Sequence, residues 1–467
     1  MLGIAMSTLI ADAAASTPIH ALNAADWPSF HGRLSPVARR FAEAVQFEPK
    51  PGRHMLLPGE TGTFGGVVFI EDPGKSEAER AFARGGLASA LPPGTYRFEG
   101  NAGDLALSTF AWLADGYRFE AYRSKANGPG ARLVAPKGVD AGRAERLAGA
   151  IAFGRDLINT PANDLAPDGL EAAARELASK FGASFTATVG EALLDANLPM
   201  IHAVGRASTT PPRLIDFSWG DDAAPKVTLV GKGVTFDTGG LNIKPDAAML
   251  LMKKDMGGAA TALAAARMVM AENLPVRLRV LVPAVENAIS GSAFRPGDVL
   301  RSRKGLSVEI GNTDAEGRLI LADALALADA EAPELMADFA TLTGAARVAL
   351  GPDLPAFYAT DDAFAAKVME LGARINDPVW RLPFWAPYDE MLASRIADVS
   401  HISNTPFAGS VTAALFLKRF VERAHIYAHF DLFAWTPSAR PGRPQGGEAQ
   451  VARLIFETIE HRFGKSG

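Results

Sequence analysis

Asp314, Glu316 and Arg318 stand at every second position of "GNTDAEGRLILADAL", residues 311–325, where a strand-like run hands over to an apolar, helix-like one. A second charged stretch, "GKGVTFDTGGLNIKPDAAMLLMKKDMGG" at 231–258, carries Lys232, Asp237, Lys244 and Asp255. In extended backbone Asp314 and Glu316 share a face. Three or four such carboxylates can assemble around two divalent cations about 3.5–4 Å apart, which orient water, lower its pKa and stabilise developing oxyanion charge. A lysine beside that charge acts electrostatically. A lysine that ligates must first lose its proton, which a metal in a dry site enforces. The spacing alone points to metal-assisted hydrolysis of an ester, an amide or a phosphate. Each residue also has an ordinary reading: helix caps for Asp314, Asp255 and Glu316, a turn for Asp237, solvated surface for the lysines. Their placement at successive strand and helix ends favours a site.

Other chemistries lack their residues. The chain has no cysteine, which excludes structural disulfides, thiolate catalysis and thiolate–metal sites. Its eight histidines form no HExxH. His425 and His429 share the i,i+4 spacing, but "HIYAHFDLFAW" reads as strand, and a joint metal role there is disfavoured. "GRASTTPP" and "GTFGG" complete no phosphate loop, no GxGxxG follows a suitable strand, and no GxSxG elbow is present. The balance of 47 basic against 52 acidic residues gives net −5 and no basic footprint for nucleic acid. No stretch reaches the ~18 consecutive apolar residues of a membrane span. The opening "MLGIAMSTLIADAAASTP" lacks a basic n-region and is interrupted by Asp12, so it reads as the start of the mature fold, a strand. A cytoplasmic enzyme or binding protein fits these limits.

The elements that must position these residues alternate. With 467 residues, 48% hydrophobic, the chain has material for two or three domains of ~150 residues. In the first part, residues 65–72, 95–100, "RFEAYR" and "ARLVAP" read as β-rich runs between helical segments at 75–89 and 106–117. "SKANGPGA" is a turn, 141–157 a long helix, and "NTPANDLAPDG" a break. Beyond it, "KVTLVGKG", "VRLRVLVPAV", "LSVEI", "LMADFATLTGA" and "IYAHFDLFAW" read as strands. Residues 257–270, 319–330, 411–423 and 448–462 read as helices. The fold class is α/β in two domains. A small N-terminal α/β domain spans 1–140, a connecting helix and linker 141–165, and a larger C-terminal catalytic domain 166–467, with a mixed sheet flanked by helices.

The sequence resembles the leucyl aminopeptidase family, cytosolic dinuclear metallo-exopeptidases. "NTDAEGRL" at 312–319 is that family's complete signature, and "GKGVTFDTGG", "KKDMGGAA", "ATLTGA" and "NTPAN" agree with it over most of 155–345. The resemblance implies metal ligands at Lys232, Asp237, Asp255, Asp314 and Glu316, with Asp237 and Glu316 bridging two divalent ions, manganese or zinc, with magnesium also compatible. It implies Lys244 as the electrostatic catalytic lysine. Arg318, with the backbone near Leu342, would hold a bicarbonate acting as general base. Met252, Thr341, Gly344 and Phe433 match pocket-lining positions. The implied partners are peptides with a free N-terminus and five further copies in a homohexamer, with the N-terminal domain serving assembly and access. One departure stands out: "HFDLFAW" replaces the family's usual "HLDIAG", and Phe433 and Trp435 add bulk at the specificity pocket, which leaves the preferred first residue open. Two other readings compete: a dinuclear hydrolase of phosphate esters, indifferent to an α-amine, and a binding protein that has lost its metals.

Overall fold

In the computed structural model, residues 9–11, 15–60, 63–100, 103–124 and 130–464 are described. The expected opening strand lies partly outside them; Leu9–Ile10 and Thr17–Asn23 are strands. Most of the "SKANGPGA" turn also lies outside the described residues. The chain folds as two units. The first takes the described residues up to Ala152 and Ser438–Gln445, the second Phe153–Pro437 and the described residues from Gly446 on.

In the first unit six strands pair in the order Leu9–Ile10, Ala131–Val134, Gly94–Glu99, Thr17–Asn23, Phe64–Glu71, His54–Pro58. All neighbours are parallel except the last pair. Phe64–Glu71 is apolar at alternate and adjacent positions because both its faces are covered. The helix expected over 75–89 is two: Glu77–Gly85, opened by a Ser76/Glu79 capping box, and Leu87–Ala90. "RFEAYR", expected as a β run, turns instead. Arg123 N–H donates to Glu120 O, and the rings of Phe119 and Tyr122 lie 5.9 Å apart, which uses the aromatics locally.

The second unit is built on a nine-stranded mixed sheet. Its centre is four parallel strands in the order Tyr427–Asp431, Leu335–Ala340, Lys226–Gly231, Arg277–Asn287. Ala356–Ala359 and Arg213–Trp219 close it antiparallel on either side. Gly233–Asp237 continues beside the far end of Arg277–Asn287. The central strands are almost continuously buried, which is why they read as apolar runs rather than alternating ones.

Helix Gly317–Asp329 packs Leu319, Ile320, Leu321 and Leu325 against Val230, Leu281, Met336 and Ala340 of the sheet. Helix Gly257–Ala271 is alanine-rich, which favours helix and keeps its surface thin. It comes so close that a Cβ on Gly231 would lie 2.5 Å from Ala259 Cα, and one on Gly258 2.0 Å from Phe339 O. Two of the expected helices are shorter than the pattern implied. Gly409–Lys418 stops before 423, and Ala452–Phe463 starts only after Val451, whose φ of 71° is left-handed. The "LSVEI" strand is Ser307–Glu309. It belongs not to the large sheet but to a three-stranded one with Val299–Arg301 and Val399–Ser400. Among the described residues no helix is long and apolar enough to cross a membrane.

Candidate metal centre

Parallel strands deliver their following residues to one edge of a sheet, and the charged residues are collected there. Lys232 follows Lys226–Gly231, Thr341 follows Leu335–Ala340, and Asp237 ends Gly233–Asp237. Asp255 lies on the helical turn Met252–Met256 that leads into Gly257–Ala271. Asp314 lies on the turn Thr313–Ala315, and Glu316 caps Gly317–Asp329.

The structure brings Asp237, Asp255 and Glu316 together, with one carboxylate oxygen of each within 4.8 Å of the others, and all three are buried. Lys232 Nζ lies 2.7 Å from Asp255 Oδ2 and 3.1 Å from Glu316 Oε1, and donates to Thr341 O at 3.0 Å. Lys244 Nζ lies 2.7 Å from Asp237 Oδ2 and 2.5 Å from Asp314 Oδ1. All five residues singled out as ligands therefore meet in one cluster with Lys244. Gly317 makes this possible: a Cβ there would stand 2.5 Å from Lys232 Cε.

Backbone and amide groups hold the acids in place. Asp237 Oδ1 accepts from Gly239 N–H and from Asn287 Nδ2, each at 2.8 Å. Asn287 Nδ2 also donates to Thr313 O at 3.0 Å. The Asn242 side chain accepts from Thr313 N–H at 2.9 Å, while Asn242 N–H donates to Thr313 Oγ1 at 2.9 Å. The Lys244 loop is thus pinned to the Asp314 loop. Gly239 at φ +88° and Gly240 at φ +63° supply the left-handed turns this requires, and a Cβ on Gly239 would meet Asn242 O at 2.4 Å. Asp255 Oδ1 accepts from Thr341 Oγ1 at 2.7 Å.

The electrostatics are those of acids that need cations. Burial and then Asp237 push the Glu316 carboxyl well above its ordinary range, and burial and Asp255 push Asp237 up. Burial opposes the Lys232 charge, but Asp255, Glu316 and Asp237 outweigh it and hold the ammonium above the usual lysine range. Lys244 is raised in the same way by Asp237. Glu316 Oε2 has no hydrogen-bond partner, and Glu316 Oε1, Asp255 Oδ2 and Asp314 Oδ1 meet only the ammonium groups of Lys232 and Lys244. Oxygens so placed, with one amine among them, form a donor set that fits divalent cations.

Arg318 is buried, which lowers its pKa to about 10. Its Nη1 donates to His401 O at 2.7 Å, and its Nε has no partner. Leu342 N–H donates to Asp431 Oδ1 at 3.2 Å, so the expected anion-holding amide already faces a carboxylate. Thr341 is buried beside Asp255, Met252 opens that residue's turn, and Gly344 opens the helix Gly344–Leu350. Phe433 is half-buried, its ring 4.8 Å from Lys254 Nζ and 4.7 Å from Arg347 Cζ. His425 and His429 do not join the cluster. His425 pairs with Glu334 at 3.1 Å, and His429 Nδ1 lies 2.7 Å from Asp338 Oδ1 in the sheet's interior.

Several supporting residues escaped the sequence reading. Asn287 and Asp431 end central strands, the signal that had marked their neighbours. Thr313 and Asn242 sat within quoted motifs. His401 carried no local signal.

The sequence matches the Cytosol aminopeptidase family, catalytic domain, over residues 152–456 and the M17 aminopeptidase N-terminal domain over 17–136. The probable cytosol aminopeptidase of Roseiflexus castenholzii is 40% identical over 364 residues, 74% of each chain. That of Chlamydia abortus is 42% identical over 318 residues, 67% of this chain and 63% of its own. Among solved structures, the cytosol aminopeptidase of Coxiella burnetii superposes with a TM-score of 0.92 at 43% identity, over 97% of this chain and 98% of its own. The bottromycin maturation enzyme BotP in complex with Mn gives 0.85 at 32% identity, over 96% and 100%.

Proposed function

The chain belongs to the cytosol aminopeptidase family and is a metal-dependent aminopeptidase; from that premise we propose how its own residues divide the work of releasing an N-terminal amino acid from a peptide. The observation that carries the division is the buried cluster of Asp237, Asp255 and Glu316 with two lysines threaded through it.

Asp237, Glu316, Lys232, Asp255 and Asp314 would together hold the divalent ions, Asp237 and Glu316 as the shared acids in this reading. Ions held there supply Lewis acidity and a water of lowered pKa. Lys232 would release its proton to solvent when the ions are held, and Lys244 would stay an ammonium. Freed of its two carboxylate partners, Lys244 Nζ donates to the oxyanion that forms at the scissile carbonyl, a preorganised charge that a buried site makes effective. Arg318 keeps donors beyond the Nη1 given to His401, and its planar fork suits a bicarbonate. Holding that anion at Leu342 as well requires sharing the amide with Asp431.

Manganese, zinc and magnesium are all compatible with oxygen donors and a single nitrogen. The manganese of the BotP complex supports testing that ion first. A hexamer in the cytoplasm is part of the same reading, and sedimentation over a concentration series checks the assembly. An active, stable monomer would exclude an obligatory hexamer.

The deciding experiment loads the purified protein with each metal and compares free-amine peptides with their N-acetylated counterparts and with phosphate esters. Cleavage confined to free-amine peptides is expected. Equal cleavage of blocked peptides, or hydrolysis of the esters alone, would sink the proposal.

A further inference from the structure

Lys254 does none of the work assigned above. It lies on the turn Met252–Met256 beside Asp255, with only 4% of its surface exposed. No ion pair joins it to a carboxylate among the described residues, although a lysine so buried is ordinarily paired. Its Nζ stands 4.8 Å from the centre of the Phe433 ring. The guanidinium of Arg347 stands 4.7 Å from the same centre. Arg347 is exposed on Gly344–Leu350 and also has no acid partner among the described residues.

Two cations thus converge on one aromatic ring. The quadrupole of the ring attracts each but neutralises neither. Left alone they repel, and a shared anion turns that repulsion into attraction. Their positions say which molecule brings the anion. Lys254 is the immediate neighbour of a proposed metal ligand. Arg347 lies one turn along the helix that Gly344 opens. Phe433 follows the central strand Tyr427–Asp431 at the same sheet edge as Thr341. A group reaching this ring comes from a peptide already held at the acids. The acids themselves disfavour a second carboxylate nearby, and the two cations offset that penalty locally.

We propose that Lys254 and Arg347 form an anion subsite against Phe433 that takes a carboxylate of the peptide substrate. This rests on the aminopeptidase reading of the neighbouring cluster. A carboxylate receives the planar fork of Arg347 in a way an apolar or cationic side chain does not. Two parts of a peptide carry that chemistry: an N-terminal aspartate or glutamate side chain, and the C-terminus of a dipeptide.

The test uses the full-length metal-loaded protein with Lys254→Met, Lys254→Arg and Arg347→Gln variants. It measures kcat/KM for glutamyl, aspartyl and leucyl p-nitroanilides, which lack a C-terminal carboxylate, and for Leu-Gly against Leu-Gly amide. Metal content is determined alongside. The expected result is that the glutamyl-to-leucyl ratio falls about tenfold in Lys254→Met and severalfold in Arg347→Gln, while Lys254→Arg retains most of it. A loss confined to Leu-Gly relative to its amide would assign the subsite to the C-terminal carboxylate. Should Lys254→Met lose metal, Arg347→Gln on the exposed helix decides alone. Unchanged ratios in a metal-retaining variant would overturn the subsite and leave the peptidase reading standing. No cleavage of any free-amine substrate by the wild type would overturn both.

Discussion

Arg318 Nη1 donates to the main-chain oxygen of His401 at 2.7 Å, across 83 residues of chain. The imidazole of the same histidine closes on the loop that leads to the acids. Gly311 N–H donates to Nδ1 at 3.2 Å, and Nε2 lies 2.9 Å from Asn312 O, so a neutral ring protonated at Nε2 satisfies both. His401 N–H adds a bond to Glu309 O at 3.1 Å. One residue therefore fixes both the approach to Asp314 and Glu316 and the aim of Arg318. Replacing it by leucine keeps the volume but leaves buried backbone groups unpaired. We expect His401→Leu to cost roughly 2–4 kcal/mol in urea unfolding. At saturating metal, kcat should fall more than KM changes. Unaltered stability and kcat would show that the clip is incidental.

The same imidazole sets a pH dependence. Burial, and after it Arg318, lowers the His401 pKa to about 3 from the ordinary 6.5. The unfolded chain therefore takes up this proton first as pH falls. The stabilisation is full above 6.5 and is lost progressively between 6.5 and about 3, by at most roughly 4–5 kcal/mol. Asp323 works the other way. Burial raises it to about 7 from 3.8, so its contribution is present below 3.8 and lost as pH rises towards 7. Comparing wild type with His401→Leu cancels the Asp323 effect. The stability gap between the two should shrink steadily from pH 7 to pH 4. Parallel curves would refute the buried neutral histidine.

The convergence of charged residues at one sheet edge was legible because they lie in short, dense motifs at strand ends. Lys232, Asp237, Asp255 and Glu316 are each within a few residues of a buried strand or helix start. Their convergence follows once the strands are parallel neighbours. What escaped was contact between distant segments. Nothing in "HISNTP" announces that His401 reaches back to Asn312, because the pairing arises from a separate three-stranded sheet that aligns Glu309 with Ser400. "RFEAYR" misled for a related reason: aromatic residues favour strands only when a neighbouring strand offers a surface, and here Phe119 and Tyr122 pack on each other.

Glu316 separates function from stability. It is 1% exposed, its Oε2 has no hydrogen-bond partner, its Oε1 meets only the Lys232 ammonium at 3.1 Å, and it shares its surroundings with two further acids. Glu316→Gln keeps the shape and removes the charge. The variant should bind at least one divalent ion fewer and lose most activity, while its metal-free melting temperature stays roughly level, since burial and Asp237 already hold the Glu316 carboxyl towards its neutral form without metal. Chelation should lower the melting temperature of the loaded wild type and leave the variant nearly unaffected. A variant with full metal content would remove Glu316 from the ligand set.

Lys244 should separate rate from metal assembly. Its ammonium lies between Asp237 and Asp314, on a loop held by Thr313 and Asn242 rather than by the lysine itself. Loss of the side chain therefore leaves the loop's own hydrogen bonds in place, and the acids that meet it are free to ligate. If its part is to stabilise charge that develops only during reaction, Lys244→Ala should load metal like the wild type and bind peptide with little change in KM. Its kcat should fall ~10²–10³-fold, the scale of losing one preorganised oxyanion donor. Lys244→Arg keeps the charge but spreads it over a bulkier planar group on a three-methylene stem, so recovery should be partial. Metal analysis beside steady-state kinetics distinguishes the outcomes. Near-normal kcat in metal-loaded Lys244→Ala would remove the lysine from the reaction, and loss of metal would make it part of the binding site instead.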